Sequence, residues 1–174
     1  MKYLVIGDAN SMHIYNFVNT VLLPRGYEIH LLTLSSSPLR ESYQRFYDEQ
    51  GVLVHAIANK GYKELEKKDR FSRLKQLLWK LKLMKDVPQV DVCHVHSVYK
   101  TALVMVLQNR RKFKKLILSY WGGDIEDQTP AVVKLREKAF RFADAITVTV
   151  KQTYNEFRRI YGSEFDSKLS VCRF

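Results

Sequence analysis

Two cysteines, four prolines, seven glycines and no long apolar run among 174 residues remove several protein classes at once. Cys93 and Cys172 form no C-x-x-C pair and have no metal ligands at useful spacing, so neither a disulfide-stapled scaffold nor a zinc module fits, and both read as reduced structural thiols. No stretch of about 18 apolar residues occurs, as a membrane-spanning helix would need. The start, Met1-Lys2-Tyr3-Leu4-Val5-Ile6-Gly7, meets a turn too early for a secretory signal. The expectation is a cytoplasmic protein, at most peripheral at the inner face of the cell membrane. Acidic residues are also scarce, 18 against 29 lysines and arginines, for a formal charge of +11. That surplus favours anionic partners, whether nucleic acid, phospholipid headgroups or phosphorylated substrates, without choosing among them.

What is present is a 46% hydrophobic content, sufficient for one core-forming domain spanning residues 1–174. Apolar runs rich in β-branched residues recur at Tyr3 to Ile6, Glu28 to Thr33, Val52 to Ile57, Val90 to Val95, Leu116 to Tyr120 and Ala145 to Val150. Most are continuous rather than alternating, the pattern of parallel strands buried on both faces. Between them, Ile14, Phe17, Val18, Val21 and Leu22 form a helical stripe, with Asn10 or Ser11 as N-cap and Gly26 near the end. Thr129-Pro130 opens a second helix, whose apolar face continues through Phe142. Strand and helix alternating through short connections predict right-handed crossovers. The expected fold is α/β: Rossmann-like and doubly wound, a mostly parallel sheet with helices on both faces.

In such sheets ligands bind beyond the carboxyl ends of the strands, which predicts that Gly7 to His13, Thr33 to Pro38, His94 to Lys100 and Tyr120 to Gln128 converge. The first stretch is not G-x-G-x-x-G, and the second strand ends in Thr33-Leu34-Ser35 rather than an acid suited to a ribose hydroxyl. Both points disfavour a dinucleotide-dependent dehydrogenase. Asp8, Asn10, Ser11 and His13 sit where helix N-terminal amides could receive a phosphate, or serve only as turn and cap residues. His94 and His96 flank Val95 and share one face of a strand. With no third ligand nearby, the pair predicts no metal site. His94 reads as a buried, hydrogen-bonded histidine. His96, last on the strand, is expected to be exposed, in a catalytic or substrate-contacting role or a structural one. In Trp121-Gly122-Gly123-Asp124 the glycines would let backbone approach a ligand while Asp124 accepts from sugar hydroxyls. The alternative there is a tight turn capped by Asp124.

Asp8-Ala9-Asn10-Ser11-Met12-His13, Arg25 to Thr33, Asp91-Val92-Cys93-His94-Val95-His96, Ser119-Tyr120-Trp121-Gly122-Gly123-Asp124 and Ala143 to Val148 together resemble bacterial family 4 retaining glycosyltransferases, in order over nearly the whole chain. The resemblance implies a two-domain GT-B enzyme that transfers a sugar from a nucleotide-sugar donor to a glycan, lipid-carrier or small-molecule acceptor, as in cell-surface polysaccharide biosynthesis, with no cofactor. By the same resemblance, this chain is the amino-terminal, acceptor-side half. Leu169 to Phe174 is similar to the strand before the family's interdomain linker, so the donor-binding half is expected to be absent and the isolated domain inactive. His96 matches the histidine beside the reacting sugar, and Gly7 to His13 the loop facing the donor phosphates. Asp8 and Asn10 stand where many relatives carry a glycine pair.

Nine lysines and arginines against three acids fall between Lys63 and Lys85. Phe71, Leu74, Leu77, Leu78, Leu81 and Met84 form an apolar stripe there, suited either to an anionic membrane surface or to a crossover helix with a solvated basic face. No recognised nucleic-acid-binding motif accompanies the charge, so nucleic acid is not an expected partner. A stand-alone nucleotide-binding or regulatory module is the rival reading to an enzyme.

Overall fold

The computed structural model describes residues 1–35, 37–56, 78, 81–126 and 128–172. Its strands are β1 (Lys2–Ile6), β2 (Glu28–Thr33), β3 (Leu53–Ala56), β4 (Val90–His96), β5 (Phe113–Tyr120), β6 (Ala145–Val148) and β7 (Leu169–Val171). Its α-helices include α1 (Met12–Phe17), α2 (Glu41–Glu49), α3 (Lys100–Gln108), α4 (Pro130–Phe142) and α5 (Lys151–Tyr161). The seven strands form a parallel sheet in the order β3-β2-β1-β4-β5-β6-β7, a doubly wound, Rossmann-like α/β fold. Two compact units divide the chain, Met1–Val90 and Asp91–Phe174.

In the first unit, β1 pairs in parallel with β2 and β2 with β3, Val5 opposite Leu31 and Leu31 opposite Val54. Consecutive residues of a strand point to opposite faces, and Tyr3 to Ile6 are all buried, so both faces of β1 are covered. Each fully buried leucine, isoleucine or valine contributes about 1.5–3 kcal/mol relative to exposure. The stripe expected after β1 is buried at Ile14, Phe17, Val18 and Leu22. It is not one regular α-helix: α1 passes into a π-helical turn over Val18–Leu22 and a 3-10 turn over Leu23–Arg25. Gly26 ends the run at φ +64°, a left-handed conformation that costs glycine no side-chain clash. Of the basic stretch from Lys63 to Lys85, only 78 and 81–85 are among the described residues. Residues 81–86 are helical, with Leu83 and Met84 buried and Leu78 exposed.

In the second unit, β5 pairs with β6 and β6 with β7, with Ser119 opposite Thr147. β5 begins at Phe113, three residues before the apolar run Leu116 to Tyr120, and at this exposed end Lys114 and Lys115 reach Asp91 and Asp144 at 2.7 and 2.9 Å. Thr129 precedes Pro130 as expected, but makes no side-chain cap bond. Helix α4 buries Val132, Arg136, Ala139 and Phe140 on one stripe, and α5 buries Thr153, Phe157 and Tyr161. Phe140 packs at 5.0 Å from Phe157 and 5.1 Å from Tyr161, in an aromatic cluster that Tyr120 joins from β5. Such pairs add about 0.5–1.5 kcal/mol each beyond their area.

Candidate functional site

The turn leaving β1 is held by hydrogen bonds within the first unit. Ala9 is fixed from two sides: its amide donates to Thr33 Oγ1 at 3.3 Å, and its carbonyl accepts from the Tyr47 hydroxyl at 3.1 Å. Burial pushes the Tyr47 phenol well above its usual range, so it remains a donor there. Asp8 Oδ1 accepts from the Asn10 amide at 3.0 Å. The Asn10 side chain spans to the loop after β2, donating to the Pro38 carbonyl at 3.1 Å and accepting from the Arg40 amide at 2.8 Å. Of the two N-cap candidates, Ser11 is the cap, with its hydroxyl accepting from the His13 amide at 3.3 Å. Asn10 thus ties two loops together. His13 is exposed.

The second unit presents the ends of β4 and β5. His94 and His96 lie on one face of β4, as alternation requires, with ring centroids 4.1 Å apart. His94 Nε2 lies 2.7 Å from Ser119 Oγ, which in turn lies 2.7 Å from Thr147 Oγ1, a buried polar chain across three neighbouring strands. Burial, then the nearby His96, holds the His94 imidazole well below its usual value, which keeps it neutral near pH 7. The reading of His94 as a buried, bonded core histidine agrees with this arrangement. His96 departs from expectation in one respect: it is 5% exposed rather than open. The rings of His94 and Trp121, the latter 6.2 Å away, lie beside it. Gly122 and Gly123 are exposed, and a β-carbon added at either would meet nothing within 4 Å.

Asp124 occupies the capping role weighed from the sequence, with more donors than a simple turn needs. It is 4% exposed, and its carboxylate accepts from the Trp121 amide at 2.8 Å, the Ser97 hydroxyl at 2.9 Å and the Val98 amide at 3.2 Å. Arg136, 2% exposed, lies 3.9 Å from Asp124 Oδ1, donates through Nε to the Val98 carbonyl at 3.2 Å, and stands over the Tyr120 ring at 5.7 Å. Burial holds the Asp124 carboxyl above its ordinary value, outweighing the donors from Trp121, Ser97 and Val98 and the Arg136 charge that pull it down. Three donors and the Arg136 guanidinium thus face its two oxygens. Sequence reasoning missed Ser97, Ser119, Thr147 and Arg136. A visible signal existed for Arg136, a cation on the α4 stripe between Val132 and Ala139.

A family model described as glycosyl transferase 4-like matches residues 2–150. The chain belongs to that family. No curated protein matches it. The match spans both units of this glycosyl transferase 4-like chain and includes the β1 turn, His94, His96 and Trp121 to Asp124. Membership supports a general glycosyltransferase role, with a sugar donor and an acceptor as partners. Among the described residues no helix is long and apolar enough to cross a membrane.

Proposed function

We propose that this chain serves the transfer of a sugar from a nucleotide-sugar donor to a glycan, lipid-linked or small-molecule acceptor, with retention of anomeric configuration. It would hold the acceptor, while a second α/β domain holds most of the donor. The observation that carries the reading is the family match over residues 2–150 joined to one local arrangement: His96 at the end of β4, Trp121 6.2 Å from it, and the open Gly122–Gly123 backbone following Trp121. An aromatic face beside an unobstructed backbone suits a sugar ring, whose C–H face packs on indole while its hydroxyls reach main-chain groups.

In the proposed reaction the bond from the anomeric carbon to the donor phosphate breaks, the acceptor oxygen takes its place, and the acceptor proton leaves with the nucleotide phosphate. His96 would orient the acceptor or offset charge developing on that phosphate. Asp8, Ser11 and His13 would contact substrate along the exposed β1 turn, with Asn10 and Asp124 supporting their loops. The proposed setting is the cytoplasm at an anionic membrane face, on acceptors for cell-surface polysaccharide, and a formal charge of +11 suits such a face.

The test has two arms. Calorimetry of residues 1–174 against a panel of nucleotide sugars should find only weak binding and no turnover, and submicromolar affinity would contradict the division of labour. In an enzyme that includes the donor-binding domain, His96→Gln, which keeps bulk and a polar end, should lower turnover by about 10²-fold or more with little change in melting temperature. Near-normal turnover would remove His96 from the chemistry.

A further inference from the structure

Among the described residues, Ser97 is the one non-glycine residue with positive φ, at +89°. It follows His96 directly. Serine visits that region rarely, because its β-carbon crowds the backbone, so such a conformation persists where the surroundings over-determine it. They do so here. The Ser97 amide donates to the Ser119 carbonyl at 3.1 Å, its hydroxyl donates to Asp124 Oδ1 at 2.9 Å, and Val98 is gripped at both ends, its amide by Asp124 and its carbonyl by Arg136. The Asp124 carboxylate also takes the Trp121 amide at 2.8 Å. One buried carboxylate therefore joins the residues that follow β4 to those that follow β5.

Stability alone is a weak reason to keep this pair. A buried carboxylate and guanidinium seldom contribute more than an apolar filling of the same volume, since both must be stripped of water. Nor does the turn after β5 require it, because a carboxylate accepting only from Trp121 would cap that turn. The surplus contacts all go to Ser97 and Val98, the two residues that decide how the backbone leaves His96.

We propose that Asp124, braced by Arg136, is a positioning residue that holds Ser97 in its left-handed conformation and thereby fixes the His96 ring between those of His94 and Trp121. The proposal rests on the reading of His96 as a functional group. Asp124 then acts through the backbone rather than by touching sugar.

The experiment is histidine-selective NMR on the whole 174-residue chain, with the His96 signals assigned by their loss in His96→Gln. Ring currents from its aromatic neighbours should displace those signals from free-histidine positions. Ser97→Ala removes the hydroxyl tie but keeps the β-carbon that crowds a positive φ, so the backbone after His96 should relax from that conformation. Its His96 signals should move toward free-histidine positions or broaden, while those of His30 and His55 in the other unit stay in place. Asp124→Asn, which turns one accepting oxygen into a donor, should do the same. If Asp124→Asn fails to fold, Ser97→Ala decides alone. Unmoved His96 signals in folded Ser97→Ala overturn the brace. Because the readout needs no sugar transfer, that result would leave the transferase reading standing, and a failed transferase assay would leave the brace standing.

Discussion

Where β1 ends, the turn is held by an exposed carboxylate, an amide side chain, a serine, a threonine and a phenol, and part of that network meets water. Where β4 and β5 end, the tie is a carboxylate and a guanidinium, each almost wholly withdrawn from solvent. Bonds at a wet surface are worth little singly, because water replaces a lost partner. Buried ions behave otherwise: each is tolerable only while the other is present, so the β4 exit should fail as a unit where the β1 exit degrades in steps.

Three substitutions press on that difference. Arg136→Met should have the largest effect, about 3–5 kcal/mol of lost stability by urea denaturation, because it leaves Asp124 buried without its cation. A loss below about 1 kcal/mol would show that the backbone donors suffice. The second concerns His94, whose folded-state pKa lies below its unfolded value of 6.5. The unfolded chain takes up a proton near pH 6.5 that the folded chain refuses. This contribution is therefore intact above that pH and is lost as pH falls below it, by up to about 1.4 kcal/mol per pH unit for one proton. In His94→Gln that loss between pH 7 and pH 5 should shrink, and an unchanged slope would assign the acid sensitivity to other groups. Asn10→Ala should be the mildest, about 1 kcal/mol, since the Pro38 carbonyl and Arg40 amide can turn to solvent. A loss rivalling that of Arg136→Met would erase the contrast.

Much of the sheet was legible because strands buried on both faces leave continuous apolar runs, as at Tyr3 to Ile6 and Ala145 to Val148. Strand ends were less so. Lys114 and Lys115 lie outside the apolar run that marks β5, and the partners that hold them, Asp91 and Asp144, are distant in sequence. Helix α2 hid for a related reason: Tyr47 is its one fully buried residue, too little to draw a stripe. At the candidate site the residue types were readable and their partners were not. His94 and His96 share a spacing that announces a common face, but whether each is open or covered depends on rings and strands elsewhere. Nothing local in Asn10 distinguishes an amide that greets a phosphate from one that staples two loops, and the sequence left Asn10 and Ser11 as equal candidates for the helix cap.

The His94–Ser119–Thr147 chain carries an implication for how this sequence can drift. Ser119 bonds both neighbours out of reach of water, so replacing it by an apolar residue takes a partner from each, whereas replacing adjacent members together need cost little. The three positions, 25 and 28 residues apart along the chain, therefore form a single inherited character. Related sequences should carry all three as polar groups or exchange them jointly, and intermediates with one member lost should be short-lived.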